Sequence, residues 1–196
     1  MVPATGNMRL VQDDSSPASR TGIWVVIAAI TMTFAAFTSA MVVRQGASLD
    51  WRHLVLPRIL YFNTLVLLVS SVTLEIGRRR FRSSLLGSEE KRAGVLRALY
   101  VTLALGLLFL VGQYLAWLQL KAEGLYLATN PSSSFFYVLT AAHGLHLLGG
   151  LAGLLYVIRK LVKSNLHRGT LGATTYYWHF MDVLWLYLLL FLWMKL

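Results

Sequence analysis

Leu103-Ala104-Leu105-Gly106-Leu107-Leu108-Phe109-Leu110-Val111 contains no polar side chain, and Leu65-Val66-Leu67-Leu68-Val69 repeats the pattern. A helix of a soluble bundle presents a polar stripe every 3.6 residues, which neither stretch can supply. A soluble helical bundle is therefore the poorer reading, and the fold is expected to be all-α, a helix bundle embedded in lipid. Composition agrees. The chain is 57% hydrophobic and 13% charged, with mean hydropathy +0.61, where soluble domains carry about 25% charged residues. The charges crowd into short segments and leave apolar runs of roughly 20 residues, the length that crosses a bilayer. Five spans are expected, at Ile23–Val43, Ile59–Gly77, Leu96–Leu120, Phe135–Ile158 and Tyr176–Met194. Residues 1–22, with Asp13-Asp14 and a Ser/Pro-rich patch, read as a mobile polar tail without a cleavage-like Ala-x-Ala.

Net charge +10 and pI 10.2 raise the question of nucleic acid. The distribution answers it. With the N-terminus inside, 13 of the 18 Lys and Arg fall on the cytoplasmic side, from Arg78 to Arg97 above all. Arg44, Arg52, Arg58, Lys121 and Lys195 fall outside. The positive-inside rule then gives a cytoplasmic N-terminus and an outer C-terminus. The basic charge is an orientation signal and a grip on anionic lipid. Ser88-Glu89-Glu90 can cap a short interfacial helix before the third span. Asn130-Pro131 with three serines marks the turn before the fourth, and Leu56-Pro57 marks the start of the second. No internal repeat of the transporter kind is visible. There are no cysteines, hence no disulfide, thiolate nucleophile or Cys-ligated metal.

Against this background the polar residues within the spans stand out, because ionisable groups there are costly and face protein or water. His143-Gly144-Leu145-His146 and His179-Phe180-Met181-Asp182 each place two polar groups three residues apart, on one helical face. His143 and His146 read either as metal or haem ligands or as neutral imidazoles bonded to neighbouring helices. A transmembrane haem needs facing histidines at similar depth, and a span starting at Tyr176 puts His179 only about 5 Å deep. His179 and Asp182 read as a locked pair or as a proton relay. Glu75 lies in reach of Arg78 and Arg79, and also of Asp182 if one of the two acids is protonated. Gln113 shares the depth of His143. Asn63, with Thr64, Ser70, Ser71 and Thr73, gives the second span a polar face for interhelical contact. Asn63, Glu75, Gln113, His143, His146, His179 and Asp182 are thus expected to form a structural polar network. Gly149 and Gly153 form a small-xxx-small pattern that permits close helix approach. Trp117, Trp178 and Trp193 fall near span ends, as in an aromatic belt. Arg159, Arg168 and the neighbourhood of Trp178 are candidate contacts for lipid headgroups. No phosphate loop, histidine box, activated nucleophile or hydrolytic acid pair is present, so an accessory membrane subunit is the reading of these residues.

The two motifs resemble subunit III of haem-copper respiratory oxidases. His143-Gly144-Leu145-His146 with the glycines after it is similar to one conserved helix of that family. Tyr177-Trp178-His179-Phe180-Met181-Asp182-Val183-Leu184-Trp185 is similar to its final helix, with Met181 where Val is common. Gly112-Gln113, Asn63-Thr64 and Ser70-Ser71 fit the helices between. The resemblance runs from about residue 22 to 196 and is closest to the short bacterial type without the first two of seven helices. It implies a subunit with no catalytic residue, metal or cofactor of its own. The haem and copper would sit in partner subunits I and II, with phospholipid held between helices and proton uptake supported in the catalytic partner. It implies a bacterial inner membrane and no nucleic acid. Two acidic positions common in the family fall on Ile30 and Ala116, and the segment before the last span has no acid, so carboxylate roles do not carry over. Three alternatives stay open: a quinol oxidase or nitric oxide reductase partner, a haem-binding membrane anchor, and a small-solute transporter.

Overall fold

The computed structural model describes residues 17–47, 51, 56–83, 89–164 and 166–196. They form five helices: α1 (Pro17–Ala47), α2 (Ile59–Ser83), α3 (Glu89–Ala122), α4 (Pro131–Val162) and α5 (Arg168–Lys195). Each is long and apolar enough to cross a membrane, and no strand occurs among the described residues.

Every helix overruns its expected span. Hydropathy marks where the chain is apolar, whereas the hydrogen-bond ladder continues into the more polar flanks, through the helix formers Arg, Lys and Glu in α2 and α3 and through Gly and Thr in α5. Glu89 and Glu90 accordingly begin α3 itself rather than a separate interfacial helix, and the capping residue Ser88 lies outside the described residues. Of the expected tail, residues 17–22 already belong to α1, and residues 1–16 lie outside the description. The largest shift is at α5, which starts at Arg168 rather than Tyr176.

Turn chemistry explains the α3–α4 connection. Gly124 adopts φ +78°, and the amides of Gly124 and Leu125 donate to the carbonyls of Lys121 and Leu120, closing α3 in a Schellman turn. Asn130 then caps α4 by accepting from the Ser133 amide at 2.9 Å, with Pro131 at the first helical position, where its missing N–H costs nothing. Tyr137 donates to the Leu125 carbonyl at 2.9 Å and ties the loop down.

Helices α2, α3, α4 and α5 pack pairwise in a closed ring, and α1 lies outside it against α4 and α5. Tyr187 of α5 donates to Thr38 of α1 at 3.2 Å. Gln45 and the indole of Trp51 both donate to the Lys195 carbonyl, so the C-terminal ends of α1 and α5 share one end of the bundle. Mid-helix side chains such as Met32, Leu145 and Val183 point outward, 72%, 68% and 64% exposed. A surface of this kind suits lipid, where only helices with internally satisfied backbones are stable.

Candidate functional site

Trp178 sits at the centre of the ring, fully buried. Its indole N–H donates to Ser70 Oγ of α2 at 3.0 Å. Its ring fills the space that glycines leave on the two other helices. A Cβ at Gly106 of α3 would stand 2.8 Å from Trp178 Cη2, and one at Gly150 of α4 would stand 3.3 Å from its Cε3. One side chain therefore touches all three partner helices. The expectation that Trp178 contacts lipid headgroups and belongs to an interfacial belt is corrected here. With α5 starting at Arg168, Trp178 lies ten residues inside the helix, about 15 Å from its start.

Two turns on, Trp185 repeats the arrangement. Its indole donates to Thr64 Oγ1 of α2 at 3.0 Å. Phe109 of α3 meets it edge-on at 4.9 Å, and the His143 ring lies 5.1 Å away, itself 5.9 Å from Phe109. His143 is thus an aromatic tile among two others, fully buried. Asn63 donates to the Phe109 carbonyl at 3.3 Å, entering a notch made by Gly112.

His179 lies eleven residues into α5, about 16 Å along the helix from Arg168. Its partner also differs from expectation. His179 Nδ1 shares a hydrogen bond with Ser71 Oγ at 2.5 Å, and its Nε2 lies 3.9 Å from Glu75 Oε2. Asp182 does not pair with it. Although the two are three residues apart, His179 is turned towards α2 while Asp182 is buried; Ser71 lies beside the Asp182 carboxyl too, but neither Asp182 oxygen meets hydrogen-bond geometry among the described residues. Glu75 forms the expected local ion pairs, accepting from Arg78 Nε and an Arg78 terminal nitrogen at 2.7 Å each and from Arg79 Nε at 2.8 Å.

The expected Gln113–His143 bond is absent as well. Both are buried, and among the described residues neither the Gln113 amide nor the His143 nitrogens have a partner. His146 turns the other way. Its Nδ1–H donates to the Ala142 carbonyl at 2.7 Å and its ring meets Phe34 of α1 at 5.7 Å. The expected network is therefore not one connected set. The structure joins Ser71, His179 and Glu75, and separately holds Asn63 on α3. It leaves Gln113, His143 and Asp182 buried without mutual bonds. No group of three or more His, Asp or Glu among the described residues has metal-binding geometry.

Close approach of α4 and α5 centres on Gly150 rather than on the Gly149–Gly153 pair. A Cβ at Gly150 would meet Tyr177 Cε1 at 3.1 Å, whereas at Gly149 and Gly153 the nearest atoms stand at 3.6 and 3.9 Å, ordinary contact. Tyr177 crosses this seam to donate to the His146 carbonyl at 2.8 Å. At the basic end of the bundle, Arg159 and Arg168 are exposed, and Arg168 joins Arg78 and Arg82 around a cleft.

Compared with known families, residues 23–195 match cytochrome c oxidase subunit III, a stretch that takes in all five helices and both sequence motifs. The chain belongs to the cytochrome c oxidase subunit III family. Similar proteins include the cytochrome c oxidase subunit 3 of Thermostichus vulcanus, 30% identical over 85% of this chain and 82% of that protein. The Corynebacterium diphtheriae subunit 3 is 32% identical over 73% of this chain and 66% of that protein. A Mycobacterium leprae protein named a probable subunit 3 is 33% identical, and there the match spans only 59% of the relative's length.

Within this subunit III fold, sequence reasoning overlooked the two tryptophans as core pieces. The signal was present. Trp178 and Trp185 are seven residues apart on α5, while Ser70 and Thr64 are six apart, in reverse order, on α2, which is the register of antiparallel neighbours. Ile30 and Ala116 are buried among apolar side chains.

Proposed function

We propose that this chain is a non-catalytic subunit of a cytochrome-c-oxidase-type terminal oxidase in a bacterial cytoplasmic membrane. It stabilises the catalytic subunit, holds phospholipid and supports proton uptake by its partner. The carrying observation is the family match over residues 23–195. Haem and copper belong to partner subunits I and II. The N-terminus is cytoplasmic, as the concentration of basic residues at the Arg78–Arg97 and Arg159–Arg168 end supports. The support given to proton uptake is indirect, through packing and bound lipid, because Ile30 and Ala116 offer no carboxyl group.

A haem-binding anchor is disfavoured by the histidines themselves. They do not converge: His143 is enclosed by Phe109 and Trp185, the His146 ring lies against Phe34 of α1, and His179 faces Ser71 and Glu75 of α2. Gentle purification of the tagged chain from its native membrane tests the proposal, with a reduced-minus-oxidised spectrum and identification of the proteins that come with it. Haem arriving only with a large catalytic partner is the expected result. Haem on the chain alone would overturn it, and a nitric oxide reductase or quinol oxidase partner would reassign the complex.

A further inference from the structure

Four polar atoms inside the ring of helices make no hydrogen bond among the described residues: the side-chain nitrogen and oxygen of Gln113 on α3 and both ring nitrogens of His143 on α4. The two residues are 4% and 0% exposed, so bulk solvent does not reach them. Buried polar groups in folded proteins are paired with protein or with ordered water, because an unpaired one forfeits its hydration. The register of the two helices brings these groups to one level. Phe109, one turn before Gln113, meets the His143 ring at 5.9 Å. Trp117, one turn after Gln113, donates to Thr140 Oγ1 at 3.1 Å, and Thr140 lies one turn before His143. Residues three or four apart share a helix face, so these two contacts bracket Gln113 and His143 across the seam between α3 and α4.

The neighbouring polar groups are already committed. Thr140 accepts from Trp117 and itself donates to the Phe136 carbonyl at 2.7 Å. Asn63 donates to the Phe109 carbonyl, and the indole of Trp185 donates to Thr64. The chemistry of the four atoms then selects the ligand. With no carboxylate bonded to it, a buried imidazole stays neutral, so His143 presents one N–H donor and one acceptor nitrogen. Gln113 adds an acceptor oxygen and an NH2 donor. A metal ion would find two ligands and no negative charge, too few to hold it. An anion would find no positive charge, and an apolar guest would satisfy none of the four atoms. Water both donates and accepts, and a buried water needs two to four polar partners of this kind. We propose that an internal water is bound between Gln113 and His143, bonding to both and joining α3 to α4 in the interior of the bundle. The site is independent of the complex in which the chain serves.

Proton-detected solid-state NMR of the full chain in bilayers of deuterated lipid tests it. Magnetisation starting on water is expected to reach the ring N–H of His143 in the unaltered chain. Gln113→Leu keeps a helix-forming side chain and removes half of the site, and it is expected to abolish that transfer. If its helical circular dichroism shows that it does not fold, Gln113→Met replaces it. A second measurement needs no variant. Coupling across a direct hydrogen bond between the Gln113 amide and the His143 ring is expected to be absent, since the water stands between them. Transfer that Gln113→Leu removes, without that coupling, supports the site. No transfer to His143 in the unaltered chain overturns it. Transfer that survives Gln113→Leu at full strength brings the water from elsewhere and overturns it too. A direct coupling between the two side chains overturns it as well, because the four atoms would then satisfy one another.

Discussion

Gly112 of α3 faces Asn63 of α2 so closely that a Cβ on the glycine would stand 2.6 Å from Asn63 Cγ and nearer still to its Oδ1. The amide of Asn63 uses that notch to reach the Phe109 carbonyl. Gly112→Ala is therefore expected to cost about 1–3 kcal/mol, the range for overpacking, read as a loss of stability in detergent. Because the clash is with one side chain, Asn63→Ala combined with Gly112→Ala should lose less than the two single changes added together. Strict additivity would mean that the two residues do not meet.

Three glycines of α4 give a graded test of the helix seam. Gly150→Ala pushes a methyl into Tyr177 and Trp178 and is expected to lower the melting temperature. Gly149→Ala and Gly153→Ala meet only ordinary contacts. They should be neutral or gain a few tenths of a kcal/mol, since alanine favours helix by up to about 1 kcal/mol over glycine. The reverse ranking would place the close approach on the small-xxx-small pair instead.

Ser70 and Trp178 should behave as a unit. Ser70→Ala leaves a buried indole N–H without its acceptor, at about 1 kcal/mol, a size consistent with hydrogen bonds within membranes. Trp178→Leu also opens a cavity between three helices and should cost about 3 kcal/mol. Trp193, 66% exposed, serves as the control, and Trp193→Leu should leave unfolding in detergent unchanged.

Asp182 provides the sharpest departure from the sequence-based expectation. If it were His179's partner, Asp182→Leu would cost about 3–5 kcal/mol, as breaking a buried pair does. The structure gives His179 to Ser71, which also lies beside Asp182, and leaves both Asp182 oxygens without a hydrogen bond of good geometry among the described residues. Removing a buried polar group that makes no bond also removes its desolvation cost. Asp182→Asn and Asp182→Leu are accordingly expected to stay within about 1 kcal/mol of the parent. A loss of several kcal/mol in unfolding measurements would falsify the assignment.

Glu75 anchors two arginines from the same helix. Glu75→Gln is expected to cost about 1 kcal/mol or less, as for pairs in reach of solvent, and the effect should shrink in high salt. A salt-independent loss would instead implicate the contact with His179.

The five helices were legible because a run such as Leu103–Val111 admits one environment only, and the family motifs were legible because they are local strings. Partner choice was not. Whether His179 meets Asp182 or Ser71 depends on how α5 is rotated against α2, and spacing along one helix carries no such information. Helix bounds failed for a related reason. The apolar count begins at Tyr176, while the helix begins two turns earlier, at Arg168. Gly150 was hidden behind a better-known pattern one residue away.

Trp178 and Trp185 also bear on the order in which the molecule is made. Both belong to α5, the last of the five helices to leave the ribosome. Until they arrive, Ser70 and Thr64 lack their donors, and the hollows at Gly106 and Gly150 stay unfilled. The first four helices already pack on one another, α2 on α3 above all, but without α5 the ring between α2 and α4 stays open. α5 thus works as a latch on the ring of helices.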